Sequence, residues 1–219
     1  MDKLLKKMVW PVIAAPLIYL AFVWNRLPDT IAIHFDLHGN PDRYGSKKEL
    51  IGVAAILIAM NICLYFLLTN IHRIDPKKQA VENKSRLIRM AFALVVFISA
   101  ILIVIIYSSI KGAFQFSISY IFAGVGLLFA VMGNYFINIK PNYFAGFRVP
   151  WTLENAENWR QTHYLAGRLW FGAGLFLCLL CPFLPPIAAM IIFFVITITI
   201  TIIPIVYSYR MYKKQKMKQ

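Results

Sequence analysis

His34, Asp36 and His38, spaced two apart, are the first side chains in this 219-residue chain whose types and spacing could do chemistry. In an extended segment alternate residues point the same way. Two imidazoles and a carboxylate would then converge, which is a donor set for a divalent metal. The competing reading is structural. Gly39-Asn40-Pro41-Asp42 is strong turn chemistry, and the same side chains would bond the turn and orient the loop, or contact a peptide or lipid. Cys178 and Cys181 have the spacing of a redox pair. They lie among Leu, Phe and Pro with no nearby His or Lys to lower a thiol pKa, so they read as buried filler; Cys63 also lies inside an apolar run.

A richer set runs from Gly133 to Gly167 and mixes aromatics, Asn and Arg: Gly133, Asn134, Asn142, Gly146, Arg148, Trp151, Trp159, Thr162, His163 and Gly167. No nucleophile, base and orienting acid stand together here. Trp151 and Trp159 suit either an aromatic belt at a membrane surface or a docking surface shared with Arg148, Arg160 and His163. The polar residues could also line a shallow cavity between the fourth and fifth apolar helices. Arg148 lies in a segment too irregular for helix, where a guanidinium fork can hold carbonyls or a carboxylate. Thr152 is a candidate N-cap, with Glu154 and Glu157 at the favourable end of the helix that follows.

Those residues need a scaffold, and composition says what kind. Apolar residues make up 60% of the chain, against roughly 45–50% in soluble domains. Six runs approach the roughly 20 residues that cross a bilayer: Met8–Asn25, Leu50–Thr69, Leu87–Ser109, Ser117–Ile137, Tyr164–Pro182 and Ile187–Tyr207. The first resembles a signal peptide, but Arg26-Leu27-Pro28-Asp29 is no cleavage site, so it is expected to stay attached. Val195 to Ile202 alternates Ile and Thr like a strand. It sits inside a run too long for one, and Thr hydroxyls can bond back to the i−4 carbonyl, so the expectation is helix. The fold class is thus an all-α polytopic bundle of about six transmembrane helices, with an interfacial helix in the fourth loop.

The formal charge of +14 invites a nucleic-acid reading, but the cations flank apolar runs instead of sharing one face. No direct nucleic-acid partner is expected, and no cofactor. The cations instead set orientation. With the N-terminus inside, sixteen Lys and Arg lie inside and five outside, Arg26, Arg43, Lys47, Lys48 and Lys111. That places both ends in the cytoplasm. Three regions follow: residues 1–70, a hairpin of helices with a structured extracellular loop at 27–49; residues 71–116, a basic cytoplasmic loop and third helix; and residues 117–219, which hold the long cytoplasmic loop and the last three helices. A transporter would carry ionisable groups at mid-membrane, where this chain has mainly Asn61, Ser and Thr. A small transporter or channel stays the alternative function, with a metal enzyme built on the first loop behind it.

Leu27-Pro28-Asp29-x-Ile31-x-x-His34-Phe35, continued by Gly39-Asn40-Pro41-Asp42-Arg43-Tyr44-Gly45-Ser46-Lys47, resembles the short domain found ahead of SdpI-type bacterial membrane proteins. The run from Gly133 to Arg168, with Ile139-Lys140-Pro141-Asn142-Tyr143-Phe144, Gly146-Phe147-Arg148 and Pro150-Trp151-Thr152-Leu153, is similar to that family's C-terminal signature. The resemblance implies a non-enzymatic immunity protein of the bacterial cell membrane. It would act against a secreted, membrane-active toxin peptide of the sporulation-delaying type. It also implies capture of a cytoplasmic winged-helix autorepressor at the membrane. The partners expected on this ground are membrane lipid, a toxin peptide and that repressor.

Overall fold

The computed structural model describes residues 1–113 and 116–217, and among these the side chains of residues 78–80 lie outside the description. Lys218 and the Lys78 side chain, both counted among the inner cations, therefore lie outside it. Seven helices and one hairpin follow in order: α1 (Asp2–Val23), β1 (Thr30–Phe35), β2 (Pro41–Ser46), α2 (Lys47–Ile74), α3 (Lys84–Lys111), α4 (Ser119–Phe136), α5 (Pro150–Glu154), α6 (Ala156–Leu180) and α7 (Pro186–Lys216). Six segments are long and apolar enough to cross a membrane: Asp2–Arg26, Lys47–Ile74, Val81–Lys111, Ser119–Phe136, Ala156–Phe183 and Pro186–Lys216. The protein is a polytopic helical membrane protein. An even number of crossings returns both termini to one side, together with the α2–α3 and α4–α6 connections.

Local chemistry explains where the elements begin and end. Ser46 and Glu49 form a capping box that starts α2 directly from β2. Gly112, at φ 69°, ends α3 in the left-handed conformation that costs glycine little. Pro186 occupies the first turn of α7, where a missing N–H is harmless. In the Ile/Thr stretch Thr199 Oγ1 donates to the Val195 carbonyl and Thr201 Oγ1 to that of Thr197, both at 2.7 Å, and the segment is helix.

The helices pack as two groups. α1, α2 and α3 enclose one core, topped by the hairpin, whose Leu27 and Ile31 join Leu20, Val23, Leu50, Leu102 and Ile106. The second group is α4, α6 and α7. α4 and α6 approach backbone to backbone: a Cβ built on Gly126 would meet the Cys178 amide at 2.8 Å, and one on Gly133 would meet the Gly167 carbonyl at 2.7 Å. Small residues allow this approach in lipid, where dispersion between close backbones supplies much of the attraction. The seam is closed at Gly126, Gly133, Gly167 and Gly174, and the polar loop residues instead line a cleft at its inner end, between Phe136 of α4, Trp170 of α6 and Thr201 of α7. α3 and α4 touch only sparsely, with an apolar groove of about 980 Å³ between them.

The helices overrun the expected apolar runs at several ends, among them α1 at Asp2, α2 at Ile74 and α7 at Lys216. The fifth span begins at Ala156, not Tyr164, because the polar turn from Ala156 to His163 is the first part of the same helix. The interfacial helix expected to lead into this span, carrying Leu153, Ala156, Trp159 and His163, is found as the short α5 followed by the first turns of α6. Thr152 lies inside α5 and does not cap the long helix. The N-cap is Asn155, whose side chain accepts from the Asn158 amide at 2.8 Å.

Candidate functional site

In the outer loop β1 and β2 pair antiparallel, with irregular register between Ala32 and Phe35. Ile31 and Ala32, adjacent and in regular register before the irregularity, are both buried. The strand ends at Phe35, so Asp36 and His38 do not continue its alternation. The Asp36 carboxylate accepts from the His38 and Asn40 amides at 2.8 Å each and from Asn40 Nδ2 at 3.2 Å. The Asn40 amide, followed by the other bonds of this turn, holds the Asp36 carboxyl below its ordinary range. His34 turns to Asp42 instead, with Nδ1 at 2.6 Å from Oδ1. Among the described residues no three His, Cys, Asp or Glu side chains gather as a metal site. His34, Asp36 and His38 are thus parted by the turn that two of them build.

Of the remaining loop residues, Gly39 takes φ 86° in the turn. Pro41 opens β2 opposite Phe35. Pro28 is exposed beside Asp29, whose carboxyl is held low by its hydrogen bond and ion pair with Lys47 at 2.8 Å. Lys47 also lies over the Trp24 ring, 5.6 Å from its centroid. The hairpin is thereby tied to both helices that flank it.

At the opposite end, residues 137–155 fold into a compact cap built by side chains bonding to backbone. Asn142 is fully buried: its Nδ2 donates to the Lys140 and Ala145 carbonyls (2.9 and 3.1 Å), and its Oδ1 accepts from the Phe144 and Ala145 amides (2.9 and 2.7 Å). Arg148 NH1 donates to the Tyr143 carbonyl at 2.8 Å, and no carboxylate pairs with it among the described residues. Thr152 Oγ1 receives the Val149 amide at 3.2 Å and lies 2.7 Å from the Phe147 carbonyl.

His163 is the pivot of this cap. It is fully buried, stacked on Trp159 with ring centroids 4.0 Å apart. Nδ1 lies 2.9 Å from the Trp159 carbonyl, an acceptor, and Nε2 lies 2.9 Å from the Phe147 amide, a donor. Only a neutral ring protonated at Nδ1 satisfies both. Gly146 presses on the same ring: its φ is 103°, and a Cβ there would collide with Nε2. Trp159 is 1% exposed and donates Nε1 to the Ile139 carbonyl at 2.8 Å. The belt-anchor reading of Trp159 is therefore corrected, since this indole is a core bolt and not a surface float. Trp151 is half-buried, donating to Ser208 Oγ at 2.9 Å and packing on Tyr209 and Tyr212. Thr162 Oγ1 donates to Asn158 Oδ1, and Asn158 Nδ2 to the Ser208 carbonyl. Gly133 and Gly167 belong to the α4–α6 seam, and Asn134 is exposed.

Sequence reasoning missed the residues that fasten this cap to the first helical group. Asn83 grips Lys140 at two points, accepting from its amide at 2.8 Å and donating to its carbonyl at 2.9 Å. Asp75 Oδ2 accepts from the Tyr143 amide at 2.7 Å, and Lys77 Nζ donates to the Leu153 carbonyl at 2.7 Å. Asp75 is one of two acids, with Glu82, in a basic loop, and neither it nor Asn83 gave a local signal. The cap can hold a fixed backbone shape toward the aqueous phase, and its cleft of about 510 Å³, lined by Tyr143, Arg148, Trp170 and Thr201 among others, opens beside α7.

Two family models match the chain. A domain of unknown function, DUF1648, matches residues 12–59, which hold most of α1, the hairpin and the start of α2. The SdpI/YfhL protein family model matches residues 138–208, which run from the cap through α6 into α7. No curated protein and no solved structure matches. The Asn142 cap, the His163 pivot and the Ser208 tether all fall inside the second match, so it is this C-terminal region of the membrane protein that is similar to the SdpI/YfhL protein family.

Proposed function

We propose that this protein confers immunity to a secreted, membrane-active toxin peptide, with its inner cap as the element that reports on the bundle. The supporting observation is that the SdpI/YfhL match covers the cap and the two helices that carry it, while the cap is bonded to the α2–α3 connection through Asp75, Lys77 and Asn83. A peptide reaching the outer leaflet meets the hairpin and the outer helix ends. A shift of one helical group against the other would strain bonds at the inner cap, which is how two sites at opposite faces can share a two-state element. Capture of a cytoplasmic repressor would use the inner face of that cap. The role is non-catalytic in this reading.

The test is expression in a host sensitive to peptides of the sporulation-delaying type, with killing measured against dose. The expected result is a rightward shift of the killing curve. It should be lost in Asn83→Ala at equal membrane abundance, because that change cuts the two-point grip without touching the cap itself. Unchanged killing across such peptides would remove the immunity reading and favour a transport role.

A further inference from the structure

α6 carries two outward arginines, Arg160 and Arg168, eight residues and so about 12 Å apart along the axis. They border a groove of about 690 Å³ between α6 and α7, lined also by Gln161, Tyr164, Leu165 and Tyr207. The two cations are not equivalent. Arg160 is neutralised by a forked pair with Glu157, at 2.8 and 2.6 Å. Arg168 is exposed, lies over the Tyr164 ring at 5.7 Å, and makes no ion pair among the described residues.

Depth gives this difference its meaning. Gly167, next to Arg168, packs against Gly133 and Ile137, so Arg168 lies level with the last turn of α4. α4 has 18 residues, about 27 Å of helix, nearly the hydrocarbon thickness. Arg168 is therefore at the inner edge of the hydrocarbon, and Arg160 stands out in the headgroup zone. A guanidinium at that depth needs an anion or water within reach of its snorkelling stem.

We propose that the α6–α7 groove binds an anionic phospholipid of the inner leaflet. Arg168 takes the phosphate through its fork, the Tyr164 hydroxyl stands beside it, and Leu165 supports the upper part of an acyl chain. No acidic side chain lines the groove to receive a choline ammonium, so charge selects an anionic over a zwitterionic head. The apolar floor favours a lipid over a soluble phosphate.

Native mass spectrometry of the full chain, released from detergent with equal amounts of phosphatidylglycerol and phosphatidylcholine, tests this. Retained phosphatidylglycerol should dominate and fall roughly fivefold in Arg168→Gln, while Lys213→Gln in the tail leaves it unchanged. Equal retention of the two lipids would overturn the proposal, as would an unaltered preference in Arg168→Gln. Loss of retention on adding inorganic phosphate at the same concentration would also overturn it, in favour of a soluble-anion site. Should Arg168→Gln not fold, Leu165→Trp fills the floor while keeping both charges. Reduced phosphatidylglycerol retention supports the site, and full retention overturns it.

Discussion

His163 shows how one side chain fastens an irregular loop to a helix without any ionic bond. Its ring joins the Phe147 amide to the Trp159 carbonyl, and His163→Ala would orphan the Phe147 amide, while the Trp159 carbonyl keeps its helical bond from the residue-163 amide. An orphaned buried group costs about 1–3 kcal/mol, so this variant should lose several degrees of thermal midpoint in detergent and admit protease at residues 143–149. Nitrogen NMR of the wild type at neutral pH should show a ring protonated at Nδ1; a signal for Nε2–H would contradict the assignment. Gly146 and Gly112 form a controlled pair, since both have positive φ but only Gly146 faces an imidazole. Gly146→Ala should destabilise clearly more than Gly112→Ala by the same melting assay. The Gly146–His163 contact was not legible from sequence, because it joins residues 17 apart whose only local signal is a glycine. His163 was singled out for its chemistry, yet its use is architectural.

The hairpin and the α4–α6 seam are elements whose sequence signals differ in strength. Turn chemistry at Gly39-Asn40-Pro41 marked the hairpin plainly, whereas the strand's end at Phe35 follows register irregularities between Ala32 and Phe35 that carry no local sequence signal. That one boundary decides against convergence of His34, Asp36 and His38. The six apolar runs were readable because lipid demands length and apolarity. The continuity of α6 across Ala156–His163 was not, because its inward polar residues are matched by partners on distant segments. The depressed Asp36 pKa gives the hairpin a pH dependence with a definite sign. A carboxylate held low in the fold contributes above its unfolded pKa, near 3.8, and that contribution is lost as pH falls through the lower folded value. Amide exchange at His38 and Asn40 should stay slow from about pH 7 to about pH 5 and gain protection-loss beyond intrinsic rates only below about pH 4. An onset already above about pH 5 would contradict the assignment to Asp36.

For the whole molecule, orientation rests on the sixteen-to-five cation count, and the structure indicates where to probe it. His38 in the outer turn and Glu154 in the inner cap are exposed, which makes them suitable labelling positions. A cysteine at His38 should react with an impermeant maleimide in intact cells, and one at Glu154 only after lysis, in a background lacking Cys63, Cys178 and Cys181. The reverse pattern would invert the topology. The double grip of Asn83 on Lys140 has a further consequence, in time. Its two halves are 57 residues apart in the chain, and the Lys77–Leu153 bond spans 76. At roughly 5–20 residues per second of synthesis, Lys77 waits about 4–15 s for its carbonyl to emerge from the ribosome. The first three helices must therefore insert and persist with Asp75, Lys77 and Asn83 satisfied by water. Closure of the cap comes late in biogenesis, as the clasp that joins two separately inserted groups.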